Sequence, residues 1–172
     1  SKELSDVLPT ARRIGAADGF LTVRAIKGAF DGALGAHGAW LLEPYADLHT
    51  SRGLNTSSVA EIEKLAELAI DHDYQLCVHA IGDRANRETL DLFERMAARH
   101  PTRESRRWRI EHAQHLSTAD IPRFAKLGVI ASMQAVHAAS DTATATAIHM
   151  RIRFFWRGAL QHTRHAPGAE NI

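Results

Sequence analysis

The chain is 172 residues long, 45% hydrophobic and 24% charged, with 21 Lys+Arg against 20 Asp+Glu, which is the make-up of about one ordinary globular domain. That balance excludes a disordered tail, a collagen and a bilayer-spanning chain, and a net charge of +1 leaves no broad field to gather nucleic acid or acidic lipid. The single cysteine, Cys77, cannot form an internal disulfide or a thiolate cluster and fits a reducing, cytoplasmic setting, whereas 11 histidines justify a search for a metal or acid/base site.

In chain order, Leu4, Val7, Leu8, Ala11 and Ile14 recur at helical spacing and predict a helix over 3–17, with Pro9 better suited to a first turn or a break than to an interior. Residues 20–27, rich in β-branched and aromatic side chains and closed by Gly28, read as a buried strand. Residues 28–56 hold Gly28, Gly32, Gly35, Gly38, Pro44 and Gly53, too many breakers for a core element, and a loop of that length is usually functional or mobile. Ser58 and Glu61 then form a capping box ahead of Ile62, Leu65, Ala66 and Ala69, the apolar face of a helix ending near Asp71. A strand over 74–80 leads through Gly82 into a helix over 84–99 with Thr89, Leu90, Phe93, Met96 and Ala97 as its buried stripe; Asp83 and Arg84 organise the turn between them. A strand over 108–113, a helix capped by Ser117 and stopped at Gly128, and a strand over 129–134 complete the pattern.

Strands alternating with helices imply parallel βα units, in either a doubly wound sheet or part of a (β/α)8 barrel. A complete barrel takes about 250 residues, so a barrel reading makes this chain a portion of one. Lys27, His79 and His112 each fall at the C-terminal end of a predicted strand, where such folds carry their chemistry. Alternation sets Gln75, Cys77 and His79 on one strand face and Trp108, Ile110 and His112 on another, so both imidazoles converge if these faces point into a barrel. Two such ligands near a lysine could build a metal site with a position open for water. Each residue alone has a plainer reading, as a hydrogen-bonded histidine or a solvated lysine. Cys77 reads as a small buried residue rather than a nucleophile, and the absence of a Gly-x-Ser-x-Gly elbow disfavours a serine hydrolase.

Five blocks in order, Ile26–Gly35, Leu41–Asp47, Val78–Asn86, Arg109–Gln114 and Gly128–Gln134, resemble the family 3 branch of the metal-dependent amidohydrolases, which includes N-substituted formamide deformylase-like enzymes. The resemblance runs from about Phe20 to Asp141 and implies an α/β fold: parallel βα units forming about strands four to seven of a (β/α)8 TIM barrel. It implies that Lys27, carbamylated, bridges two divalent metals, with zinc the expected ion, and that His79 and His112 are the ligands from strands five and six. Metal-activated water would attack a carbonyl and cleave an amide-like C–N bond of a small molecule. Gln134 and His137, at the end of strand seven, would touch substrate or line the mouth.

The family takes further ligands from a His-x-His at the end of strand one and an Asp at the end of strand eight, and neither pattern occurs at the expected place in this sequence. The reading is therefore a partial amidohydrolase barrel over 1–141 and a divergent or altered tail over 142–172. Metal should be loosely held or absent and Lys27 unmodified, with affinity falling below about pH 6 as the imidazoles protonate. The alternatives are a non-catalytic, self-associating half-barrel and, less favoured, an esterase. Open strand edges and an inner face exposing Cys77 and Ile110 would favour a homo-oligomer; no nucleic-acid or membrane partner is expected.

Overall fold

The computed structural model describes residues 2–102 and 105–137, so the expected tail over 142–172 lies outside the described residues. Helix α1 (Lys2–Ala11) keeps Pro9 inside its last turn, and the chain then reverses into a short antiparallel pair, β1 (Arg13–Ala16) and β2 (Leu21–Val23). The expected helix over 3–17 therefore stops early, and the expected strand over 20–27 is split. The cause is the turn between them: Ala17, Asp18 and Gly19 all adopt positive φ, the left-handed geometry that joins twisted antiparallel strands tightly.

The main sheet is built from β3 (Ala25–Ala29), β4 (Gln75–Ala80), β5 (Arg109–His112) and β6 (Ile130–Ser132), all parallel and in the order β3-β4-β5-β6. Its crossovers are α2 (Val59–Asp71), α3 (Asp83–Arg99) and α4 (Ile121–Leu127). The expected capping box is present in full, with Glu61 N–H donating to the Ser58 hydroxyl and Ser58 N–H to the Glu61 carboxylate. Ser117 does not cap α4. It opens a turn closed by Asp120 N–H, and Asp120 is the N-cap because Pro122, which has no N–H to satisfy, suits the first turn just beyond it.

One continuous core joins the helices to a single face of this sheet: Ile26, Leu76, Val78, Ala80 and Ile110 pack against Ile62, Ala66, Leu90, Phe93 and Met96. Burying them removes apolar surface worth about 1.5–3 kcal/mol for each large side chain. Gly28 allows the close approach of α2, since a Cβ there would lie 2.9 Å from Ile62 Cδ1. On α3, Ala97 is exposed, and the stripe continues instead through Ala85, Asn86 and Leu92. Helices packed on one face only, among the described residues, distinguish a barrel segment from a doubly wound sheet.

That one-sidedness corrects the assignment of faces on β5. Trp108 and Ile110 turn toward the helices, 5% and 0% exposed, with the Trp108 ring centroid 4.9 Å from that of Phe93. The free face carries Lys27, Cys77, His79, Arg109 and Glu111 by register, and Cys77 is itself 1% exposed. Neither Cys77 nor Ile110 therefore presents apolar surface to water.

Candidate metal centre

Register fixes the levels of the candidate residues. Lys27 pairs with Cys77, Ala29 with His79 and His79 with Glu111, so Lys27 sits one pleat repeat, about 6.6 Å, before the level of His79 on the same sheet face. His112 pairs with Ala80, whose side chain faces the core, so simple alternation would bury its ring among the helices. The backbone overrides this. His112 and Ala113 have φ of 73° and 44°, a left-handed pair that non-glycine residues adopt only when their surroundings hold them there, and the kink swings the ring back over the sheet edge.

The result is a file of imidazoles. The His79 and His112 ring centroids are 4.5 Å apart at 71°, and His137 follows at 5.7 Å from His112. His112 Nδ1 donates to Gln134 Oε1 at 2.7 Å, which leaves Nε2 with the lone pair. Burial first, then the neighbouring His79, His137 and Lys27, push the His112 pKa below its usual 6.5, against the opposing hydrogen bond to Gln134. A neutral imidazole is the form that binds a metal. The structure thus brings His79, His112, Gln134 and His137 together and sets Lys27 below them on the adjacent strand; Gln134 holds a histidine.

Two carboxylates sit beside this file, neither with a role expected from the sequence. Asp31, 4% exposed, accepts from Ile81 N–H at 3.0 Å, Gly82 N–H at 2.7 Å and Trp40 N–H at 2.9 Å, and its Oδ1 lies 3.4 Å from His79 Nε2. The signal available was an acid at the start of an otherwise apolar and glycine-rich segment. Glu111 is paired with Arg109 on the free face. Burial raises its pKa, but hydrogen bonds from Ser132 and Arg109 and the charges of Arg109 and Lys27 prevail and hold it below the usual carboxylate range.

The loop over 28–56 is packed over this end of the sheet. Leu34, Ala39, Leu41, Tyr45 and Ile81 form a second small core, and Trp40 O accepts from Arg84 N–H and Ala85 N–H at the start of α3. Asp83 Oδ1 accepts from Leu42 N–H at 2.9 Å. Asp83 and Arg84 therefore do organise the turn, by gripping the loop across from it.

Whether these residues suit a divalent metal is decided by the donors. Two adjacent imidazoles, one with a depressed pKa, match a zinc-like ion in kind. No group of three or more His, Cys, Asp or Glu side chains is close enough to hold one among the described residues, so the donors fall short in number.

A family model described as the amidohydrolase family matches residues 2–164. The chain is 37% identical over 122 residues to Protein LONG AFTER FAR-RED 3 of Arabidopsis thaliana, an alignment covering 71% of this chain and 21% of that protein. Among solved structures, it superposes on an uncharacterized metal-dependent hydrolase from Pyrococcus horikoshii OT3 with a TM-score of 0.71 at 30% identity, covering 83% of this chain and 28% of the other. A second, from Pyrococcus furiosus, gives 0.70 at 33% identity, covering 83% and 29%. The chain spans about a fifth of the length of the curated relative and somewhat over a quarter of the solved ones.

Proposed function

This chain belongs to the amidohydrolase family, and from that premise we propose that it supplies the Lys27, His79 and His112 positions of a hydrolase that cleaves amide-like C–N bonds of small molecules with a divalent metal, zinc by preference. The observation that carries this reading is the convergence of His79 and His112 from adjacent strands, achieved through a left-handed backbone that packing alone would not demand. A bound divalent ion would supply Lewis acidity toward a carbonyl and acidify water.

The chain's own residues do the remaining work. Gln134 takes Nδ1 of His112, which leaves Nε2 of that ring as a donor, and the Asp31 carboxylate stands 3.4 Å from the buried Nε2 of His79. Lys27 stands on the free face one level lower, with Glu111 and Arg109 ion-paired beside it. His137, next to His112, lies where a substrate would approach. The loop over 28–56 covers this end of the sheet and limits water.

A second reading is a non-catalytic, self-associating half-barrel. It is favoured by the exposed apolar side chains of the β1-β2 pair and its turn, with Phe20 92%, Ile14 54% and Leu21 48% exposed. Hydrolysis of a panel of N-acyl amines and matched esters, with zinc added and His79→Ala as the blank, separates the two. Amide turnover lost in the variant supports the hydrolase. Turnover confined to esters, or unchanged in the variant, overturns it, and no turnover with self-association in light scattering favours the second reading.

A further inference from the structure

At the opposite end of the sheet from the histidines, the C-terminal turns of α3 and α4 and the residues leading into β5 and β6 border a cleft of about 490 Å³, within the range that takes a small organic ligand. Trp108 stands four residues before His112, so about 13 Å of strand separates the cleft from the histidines. The floor is apolar. Leu127 and Val129 are half-buried beside Trp108, whose side chain is 5% exposed with its Nε1–H sealed from water and without a hydrogen-bond partner, an unsatisfied donor that calls for an explanation. The rim is cationic: Arg106, Arg107 and Lys126 line it, and no Asp or Glu does among the described residues. Lys126 is paired with Glu94 at 2.8 Å. The Arg106 guanidinium instead lies 5.7 Å over the Trp108 ring and, among the described residues, spends one N–H on His100 O at 2.6 Å. Burial pushes its pKa below the usual value, and no acid among the described residues offsets that.

The turn that carries these cations is pinned in place. Arg107 holds a φ of 53°, left-handed geometry that is costly for a non-glycine residue; its N–H donates to the Ser105 hydroxyl at 3.2 Å, and its carbonyl accepts from the Gln75 side-chain amide on β4. We propose that the cleft is a second binding site, for a small aromatic carboxylate whose ring lies on Trp108, Leu127 and Val129 and whose carboxylate meets the Arg106 guanidinium. A planar guanidinium with donors to spare matches a carboxylate through two parallel hydrogen bonds. An apolar floor beside an indole favours a flat body, which a bare inorganic anion lacks. A neutral ligand of the same shape would leave Arg106 partly desolvated and uncompensated. The site shares no residue with the histidine centre, so it stands or falls independently of the function proposed above.

The experiment follows the indole 1H–15N resonances of the full 172-residue chain, without added metal, during titration with phenylacetate, phenylacetamide and inorganic phosphate. Phenylacetate should shift the Trp108 indole resonance saturably. The neutral amide and the phosphate should each bind at least about tenfold more weakly, the first for want of the charge-assisted hydrogen bonds and the second for want of an apolar body. Arg106→Gln should weaken phenylacetate binding by a similar factor, and His79→Ala should leave it unchanged. No saturable shift at Trp108 overturns the proposal, as does amide or phosphate binding as tight as that of phenylacetate, an affinity unaltered in Arg106→Gln, or binding lost in His79→Ala. If Arg106→Gln does not fold, the comparison of the three probes on the wild-type chain decides.

Discussion

His112 meets the ring of His79 edge-on at a centroid distance of 4.5 Å although the two residues occupy different levels of their paired strands, His79 opposite Glu111 and His112 opposite Ala80. The contact exists because the backbone turns left-handed at His112, with φ of 73°. Its first consequence concerns pH. Burial and nearby positive groups hold the folded-state pKa of His112 below 6.5, so in the window beneath that value the unfolded chain binds the proton more readily than the folded one. The stability contributed by a neutral His112 is therefore complete above about pH 6.5 and is lost as pH falls through the folded value. Urea midpoints should drop more between about pH 7.5 and pH 5.5 for the wild type than for His112→Asn, and equal drops would show that His112 is not held neutral.

The grip on the loop gives a second prediction. A Cβ at Gly82 would lie 2.0 Å from Trp40 O and 2.5 Å from Trp40 C, both backbone atoms that cannot rotate aside. Gly82→Ala should destabilise the chain by about 2 kcal/mol or more, by forcing the loop off the start of α3. Alanine tolerated within about 0.5 kcal/mol in chemical denaturation would mean that the loop does not sit there in solution.

Cys77 yields a third. It is 1% exposed, and burial is the first cause of a thiol pKa raised above its usual 9.0, with Glu111 adding to it against Arg109 and Lys27. Alkylation by iodoacetamide near pH 8 should be at least about 100-fold slower in the native chain than in urea, because reaction must await an opening of the sheet. Native labelling as fast as unfolded labelling would place the thiol at the surface.

Much of the fold was legible because local signals and packing agree. The capping box at Ser58 and the spacing of Ile62, Ala66 and Ala69 specify α2, and the runs around Val78 and Ile110 specify strands buried between neighbours. The sheet order follows from short parallel crossovers. The face of β5 was misjudged because alternation was counted through to His112, and a left-handed residue breaks the count where it matters most. The β1-β2 pair was missed because its strands are three and four residues long and exposed, too short for a period to register. Asp31 had no visible role because its partners are backbone N–H groups up to 51 residues away, which no local pattern encodes.

The central claim is that His79 and His112 present donors to one divalent ion. Zinc titration by calorimetry tests it on the wild-type chain, on His79→Ala, on His112→Ala, and on His49→Ala as an exposed histidine elsewhere. The account predicts one weak site per chain, lost in either of the first two variants and kept in the third, with affinity falling as pH drops below about 6. Zinc binding unchanged in a chain carrying both His79→Ala and His112→Ala would contradict it.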